Sequence, residues 1–348
     1  MKLKFKIYIL GILSLLLTNC KDNKDCDNYR SKMDVNSKGE TIIKLQQQWF
    51  PNSGFAGELY AQNVTDSIYN LDIEIIPGSD QTNIMQLVKS GEVDFGVAGA
   101  EQVIQANQDN DNFVIVGVIN YKSLACFISK KGKNILVPKD MVGKKIGTME
   151  GSPVHLIYQA LKQKEKLGIE KKNEIPTGWV LTGFTQDDYD VYPAFINDEP
   201  ITLNAQGIEL NYIYPSNYDI NFIGTVYFCK RELVECYPEI VQKFVNSISQ
   251  GWELALKNPK KSIEYLKEYD KNIDENKELK SLIQGMEYFK GENGRILYAK
   301  EESWRKMSEL LTSIGQINSF DYEKTVNTKF ISKYLSEIKP KNDENAQE

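Results

Sequence analysis

The chain has 348 residues, 41% of them hydrophobic, and a formal net charge of −6 from 42 Lys and Arg against 48 Asp and Glu. That length is enough to bury a sizeable core divided between two lobes. The acidic balance argues against nucleic acid, whose phosphates need a basic face.

The N-terminus sets the compartment. Lys2, Lys4 and Lys6 precede an apolar run, Ile7 to Leu17, too short to span a bilayer as a permanent helix. Leu17-Thr18-Asn19-Cys20 follows and resembles a bacterial lipobox, with Asn19 where Gly, Ala or Ser is usual. The resemblance implies a signal peptide over residues 1–19 and acylation of Cys20, which places the chain in the cell envelope on a lipid anchor. Losing residues 1–19 removes three lysines and takes the net charge from −6 to −9. Residues 20–40 are polar and read as a flexible tether. No later segment is long and apolar enough to cross a bilayer. Of the five cysteines, Cys26 sits in the tether, Cys126, Cys229 and Cys236 show no metal-type spacing, and Cys229 and Cys236 either pair or are two buried thiols.

After Glu40, strands and helices alternate. Ile43 to Trp49 reads as a strand that breaks at Pro51, with a helix from about Phe55. Leu71 to Ile76 is a strand closed by Pro77-Gly78; Asn83 to Lys89 is a helix; Val93 to Ala98 is a buried strand running into a helix at Gly99-Ala100-Glu101. Phe113 to Ile119 and Leu124 to Ser129 are apolar enough for central strands. This alternation predicts an α/β fold with a mainly parallel sheet. Lys145 to Met149 begins a second lobe in the same style, followed by a helix from Val154 to Leu167 with Pro153 at its start and Gly168 beyond its end. Gly178–Thr182, Asp190–Ile196, Leu210–Tyr214 and Phe222–Cys229 read as further strands. Ile240, Phe244, Ile248, Trp252 and Leu256 recur every four residues, marking a long amphipathic helix. Helices near 260–269, 276–288, 302–314 and 323–337 complete the chain, and residues 339–348 form a frayed tail.

Catalytic and cofactor signatures are largely missing. There is no P-loop, no His-Glu-x-x-His, no Gly-x-Ser-x-Gly and no Cys-x-x-Cys, and the only histidine is His155. No cofactor and no metal are implied. What remains are strand-to-helix crests with small residues and free N–H groups: Trp49-Phe50-Pro51-Asn52, Pro77-Gly78-Ser79, Ala98-Gly99-Ala100 and Glu150-Gly151-Ser152. Such crests receive small polar ligands in α/β sheets. Trp49 and Phe50 are either aromatic faces for a ligand or core residues. Glu199, in Asn197-Asp198-Glu199-Pro200, is either a helix N-terminal charge or an acceptor for a ligand amine.

Trp49-Phe50-Pro51-Asn52 with Gly57, Asp94-Phe95-Gly96 leading to Glu101, Asn197-Asp198-Glu199-Pro200, and the helix from Pro238 through Gly251-Trp252 occur in order. Together, over Ile43 to Asn258, they resemble the periplasmic binding proteins for thiamine pyrimidine precursors. That group is akin to the sulfonate-, nitrate- and riboflavin-type binding components of ABC importers. The resemblance implies a periplasmic binding protein type II-like fold. Two α/β lobes, residues 41–128 with 225–338 and residues 129–224, are joined by a two-crossing hinge. It implies a monomer that hands a small heteroaromatic nutrient to ABC permease and ATPase subunits. Trp49 and Tyr121 would stack on the ligand; Asn52, Ser79, Ser152 and the Ala98–Gly99 backbone would hydrogen-bond it; Glu199 would receive its amine. Fungal pyrimidine synthases share the superfamily, but their His stands where this chain has Phe55, and their Cys-rich run has no counterpart here. On that enzymatic alternative, His155 would pair with Glu150 or Glu199 as acid and base.

Overall fold

In the computed structural model, residue 26, residues 34–110 and residues 112–337 are described. The stretch read as a signal peptide, Cys20 and the tail read as frayed from residue 339 lie outside them. The strands are β1 (Thr41–Gln46), β2 (Leu71–Ile76), β3 (Phe95–Gly99), β4 (Phe113–Val118), β5 (Ala125–Lys130), β6 (Ile146–Thr148), β7 (Glu174–Pro176), β8 (Tyr192–Phe195), β9 (Leu210–Ile213) and β10 (Thr225–Lys230). They build an α/β fold around two mixed sheets. The first has the order β2-β1-β3-β10-β4 and the second β8-β5-β9. The pair β6–β7 continues the second sheet, because Ile146 bridges Val191 just ahead of β8.

The sheet is not mainly parallel. β1 runs parallel to β2 and β3, but β10 returns from the second sheet and inserts antiparallel between β3 and β4. Local alternation of strand and helix records crossovers, not the direction of a strand arriving from elsewhere. Every residue of β3 and β4 is buried, as central strands covered on both faces require.

Two chain crossings join the sheets, and they are bonded to one another. Ser123 N donates to Phe222 O (2.7 Å), Gly224 N to Asn120 O (2.9 Å) and Asn120 N to Thr225 O (3.2 Å). β5, which the sequence reading divides at residue 128, lies whole within the second sheet.

Helices α1 (Ala56–Tyr60), α2 (Ile84–Ser90) and α3 (Ala100–Ala106) follow the strands of the first sheet; α4 (Pro153–Lys164), α5 (Thr182–Thr185) and α6 (Glu199–Ala205) belong to the second. The C-terminal third is helical: α7 (Arg231–Cys236), α8 (Pro238–Lys257), α9 (Pro259–Tyr269), α10 (Glu275–Phe289), α11 (Glu301–Ser313), α12 (Tyr322–Thr325) and α13 (Lys329–Glu337). The segment read as one helix over 323–337 breaks at Val326, whose extended backbone bridges Ile115 of β4. Along α8, Ile240, Phe244, Ile248 and Trp252 are buried as the spacing predicts, but Ala255 takes the place expected for Leu256. Each four-residue step overshoots a full turn by about 40°, so the stripe drifts off the buried face.

α1 and α8 cross at glycine. A Cβ on Gly57 would lie 2.2 Å from the Trp252 ring, and one on Gly251 would lie 2.3 Å from Gly57 O. Any side chain there would force the helices apart and lift the crest that precedes α1.

The cysteine pairing differs from both sequence alternatives. Cys236 is bonded to Cys26, while Cys229 and Cys126 are buried free thiols. Cys229 is fully buried within β10. Of the stretch read as a tether, residues 34–40 also fold onto the sheet. Val35 bridges Thr41, and Asn36 Nδ2 donates to Asp72 (2.9 Å). Among the described residues, no helix is long and apolar enough to cross a membrane.

Candidate ligand cleft

The C-terminal end of β1 and the start of β10 face the crests after β6, β7 and β8 across a cleft of about 970 Å³. The first wall rests on a buried polar chain. Gln47 Nε2 donates to Glu58 Oε2 (2.8 Å), Tyr227 OH to Glu58 Oε1 (3.0 Å) and Trp252 Nε1 to Tyr227 OH (2.8 Å). Burial pushes the Glu58 carboxyl up to about 8, against the two donors that favour its charged form. Above this chain stands Trp49. Its carbonyl accepts from Gly78 N (3.1 Å), an approach that a Cβ on Gly78 would block, since it would fall 2.3 Å from Gln47 O.

The second wall is lighter. Trp179 stacks on Phe195 (5.7 Å, 19°) and meets Trp49 edge-on from across the cleft (6.2 Å, 67°). Tyr192 OH holds the Gly178 carbonyl (3.0 Å), and Thr177 pairs with Tyr189 OH (3.0 Å). Glu199 opens α6 and is 6% exposed. Its Oε2 accepts from Phe195 N (2.8 Å). Burial, aided by the neighbouring charge of Asp198, pushes its carboxyl up to about 7.

α10 spans the two walls. Lys277 Nζ lies 2.6 Å from Asp198 Oδ1, Asn197 Nδ2 donates to Ser281 Oγ (3.2 Å), and Glu278 Oε2 accepts from Ser53 N (2.7 Å). At the first chain crossing, Asn120 lines the cleft at 4% exposure, and its Nδ2 has no partner among the described residues. A buried amide donor without a partner costs on the order of 1–3 kcal/mol, so it awaits an acceptor.

Of the residues expected to bind ligand, Trp49, Asn52, Ser79, Ser152 and Glu199 line the cleft, whereas Ala98, Gly99 and Tyr121 do not. Ala98 pairs with Val226 in the sheet, and Gly99 N donates to Gln102 Oε1 (3.0 Å), so that backbone offers no free donor there. Tyr121 turns from the cleft and packs against the core; its neighbour Asn120 faces in. Burial is continuous along β4, so no alternation in the sequence told the two apart. Asn52 and Ser152 are partly engaged as caps, Asn52 accepting from Gly54 N (2.7 Å) and Ser152 from His155 N (3.3 Å). The sequence does not single out Trp179, because Gly178–Thr182 reads as a strand, or Lys277, which reads as one more polar residue of the 276–288 helix. The structure instead has a loop into α5, with β7 a few residues earlier. His155 lies outside the lining residues and meets Gln159 (3.0 Å); it pairs with neither Glu150 nor Glu199.

Residues 69–262 match the NMT1/THI5 like family. The chain belongs to that family. No curated relative matches it. Solved structures share the fold of this NMT1/THI5 like protein at low identity. One is a putative periplasmic sulfonate-binding protein of an ABC transporter from Methylobacillus flagellatus KT, 17% identical over 88% of this chain and 95% of that one (TM-score 0.66). Another is a Candida albicans protein with the generic periplasmic binding protein structural fold, 16% identical over 82% and 96% (TM-score 0.58). A third is the desulfurization enzyme DSZB, 11% identical over 85% and 100% (TM-score 0.59). The fold of the NMT1/THI5 like chain is therefore that of a periplasmic binding protein, an architecture that also carries an enzyme. Its function has to be argued from its own cleft.

Proposed function

We propose that this protein is the extracytoplasmic solute-binding component of an ABC importer. In this reading a flat, amine-bearing heteroaromatic nutrient of the thiamine pyrimidine precursor kind binds between two lobes that close about the 119–124 and 220–225 crossings. The monomer, held to the membrane through Cys20, then passes it to permease and ATPase subunits. The lining charge carries the reading. Asp80, Glu150, Asp198, Glu199 and Glu278 line the cleft with Lys277, which is itself paired with Asp198, and among the described residues no arginine lines it. A sulfonate would enter a field of its own sign with no guanidinium to receive it. A flat ring suits the corner made by Trp49, Trp179 and Phe195, Asn120 supplies a donor, and Glu199 accepts the amine. A bound cation would hold Glu199 ionised, so binding near pH 7 releases a proton.

Native mass spectrometry of the protein purified from a rich-medium host, followed by thermal shifts, tests this reading. At 100 times Kd a ligand raises stability by about 2.7 kcal/mol. Aminopyrimidines should produce that shift and alkanesulfonates should not. A shift with sulfonates alone overturns the charge argument, and one with riboflavin alone keeps the aromatic corner but moves the ligand class.

A further inference from the structure

The Cys26–Cys236 bond ties the N-terminal segment to the end of α7, with a Cα–Cα distance of 5.3 Å, and Tyr237 OH donates to the Cys26 carbonyl. Only five residues, 21–25, separate Cys26 from Cys20. Six Cα steps reach about 20 Å when fully extended. Without the bond, the next described residue fastened to the sheet is Asp34, whose carbonyl accepts from Ile42 N (2.9 Å), and fourteen steps reach about 50 Å. The first leash allows one corner of the molecule to meet a bilayer; the second allows almost any face.

We propose that the disulfide docks the corner formed by α7 and the start of α8 onto the lipid surface that holds Cys20, and so orients the cleft. The inference rests on the reading of Cys20 as the acylated residue. β10 shows the orientation. It starts at Thr225 in the cleft lining and ends at Lys230, where α7 begins. Five strand steps are about 17 Å, so the anchored corner and the cleft lie at opposite ends of the first sheet. The cleft then opens away from the docked corner. Charge does not supply the contact. Glu235 and Glu239 are exposed on that corner and would be repelled by anionic headgroups, so the covalent leash holds it there and added salt should not release it.

The test uses the full acylated chain in phosphatidylethanolamine–phosphatidylglycerol vesicles carrying a small fraction of lipid with a photoactivatable headgroup. In the wild type, cross-links should concentrate in residues 231–243 and stay there on raising salt to about 1 M, where screening reaches only about 3 Å. Cys26→Ser with Cys236→Ser should spread them over several faces, lowering the share in that segment several-fold. A second variant keeps the bond and lengthens the leash by a twelve-residue Gly/Ser insertion after Lys24; it should spread them equally. Cross-links centred on the cleft rim, or a distribution unchanged by both variants, overturn the proposal. The intact mass separates the premise from the geometry. Absence of the acyl increment on Cys20 overturns the lipoprotein reading and this inference with it. An acylated chain whose non-reduced peptide map lacks the Cys26–Cys236 link overturns the geometry alone.

Discussion

The two walls of the cleft are built differently. Beneath Trp49 lies a chain of buried partners, Gln47, Glu58, Tyr227 and Trp252, locked by the glycine crossing of α1 and α8. Beneath Trp179 there are two hydroxyl contacts and one stacked ring. Trp179 is 37% exposed, and the adjacent Val180 is 70% exposed. Interiors packed at crystal-like density resist displacement, whereas segments with few buried contacts open cheaply. The first wall is a fixed template against which the second adjusts.

The contrast breaks most sharply at the tryptophans. Trp252→Ala removes a fully buried ring and the donor to Tyr227, and should cost about 3–5 kcal/mol of folding stability in denaturant titrations. Trp179→Ala should leave stability within about 1 kcal/mol while weakening ligand binding at least tenfold, in the range of an interface anchor at about 2 kcal/mol. Trp49→Ala belongs between them, losing binding by about 2–4 kcal/mol with a smaller loss of stability from its partial packing. If Trp179→Ala unfolds the protein and Trp252→Ala does not, the walls have been assigned the wrong way round.

The same contrast explains what could be read in the sequence. The first wall is written locally. Ile43, Leu45 and Gln47 alternate inward, Pro51 ends the strand, and Asn52 caps the turn. The stripe of α8 supplies its backing. The second wall depends on partners far apart in the chain: Trp179 matters because Phe195 lies beneath it, and Lys277 because α10 folds back to Asp198, 79 positions earlier. Period and propensity carry no information on such meetings. Cys26 and Cys236, 210 residues apart, were beyond reach for the same reason. Ala98 and Gly99 failed differently: small residues at a crest do not imply free N–H groups, and theirs are used by the sheet and by Gln102.

A titration sharpens the comparison further. Folding raises the Glu58 pKa from 4.5 to about 8 through burial, so the native protein holds a proton that the unfolded chain releases across that window. The stability this gives is complete below about pH 4.5 and is lost as pH rises towards 8. Glu101 and Glu199, both raised to about 7, act with the same sign over a lower range. Unfolding free energies measured from pH 5 to 9 should therefore decline with pH. Glu58→Gln should reduce the slope by up to about one proton, the reduction persisting between pH 7 and 8 where Glu58 is the last of the three to titrate. An unchanged slope would mean that Glu58 is already ionised, and that the first wall is built on a charge.

The smallest effect expected is at Lys277, and its sign carries the information. The Lys277–Asp198 pair is partly exposed, 36% and 54%, and contacts of that kind contribute about 0–1 kcal/mol. Lys277→Gln should leave the melting temperature almost unchanged. Its effect on affinity depends on the ligand. Lys277 is the single cation among the described lining residues. For an amine-bearing ligand its loss removes a repulsion and frees Asp198, so affinity should hold or rise up to about fivefold at low salt, the gain fading as salt screens it. For an anionic ligand the same change removes the single cation among the described lining residues, and affinity should fall by more than tenfold, since a charge-assisted hydrogen bond is worth about 1.5–3 kcal/mol. Loss of the bridge between the walls would blur this outcome, which is why Asp198→Asn is measured beside it. That variant breaks the same bridge and keeps the cation, so the difference in Kd between the two isolates the charge. A weaker Lys277→Gln against an unchanged Asp198→Asn would turn the ligand from an amine to an anion.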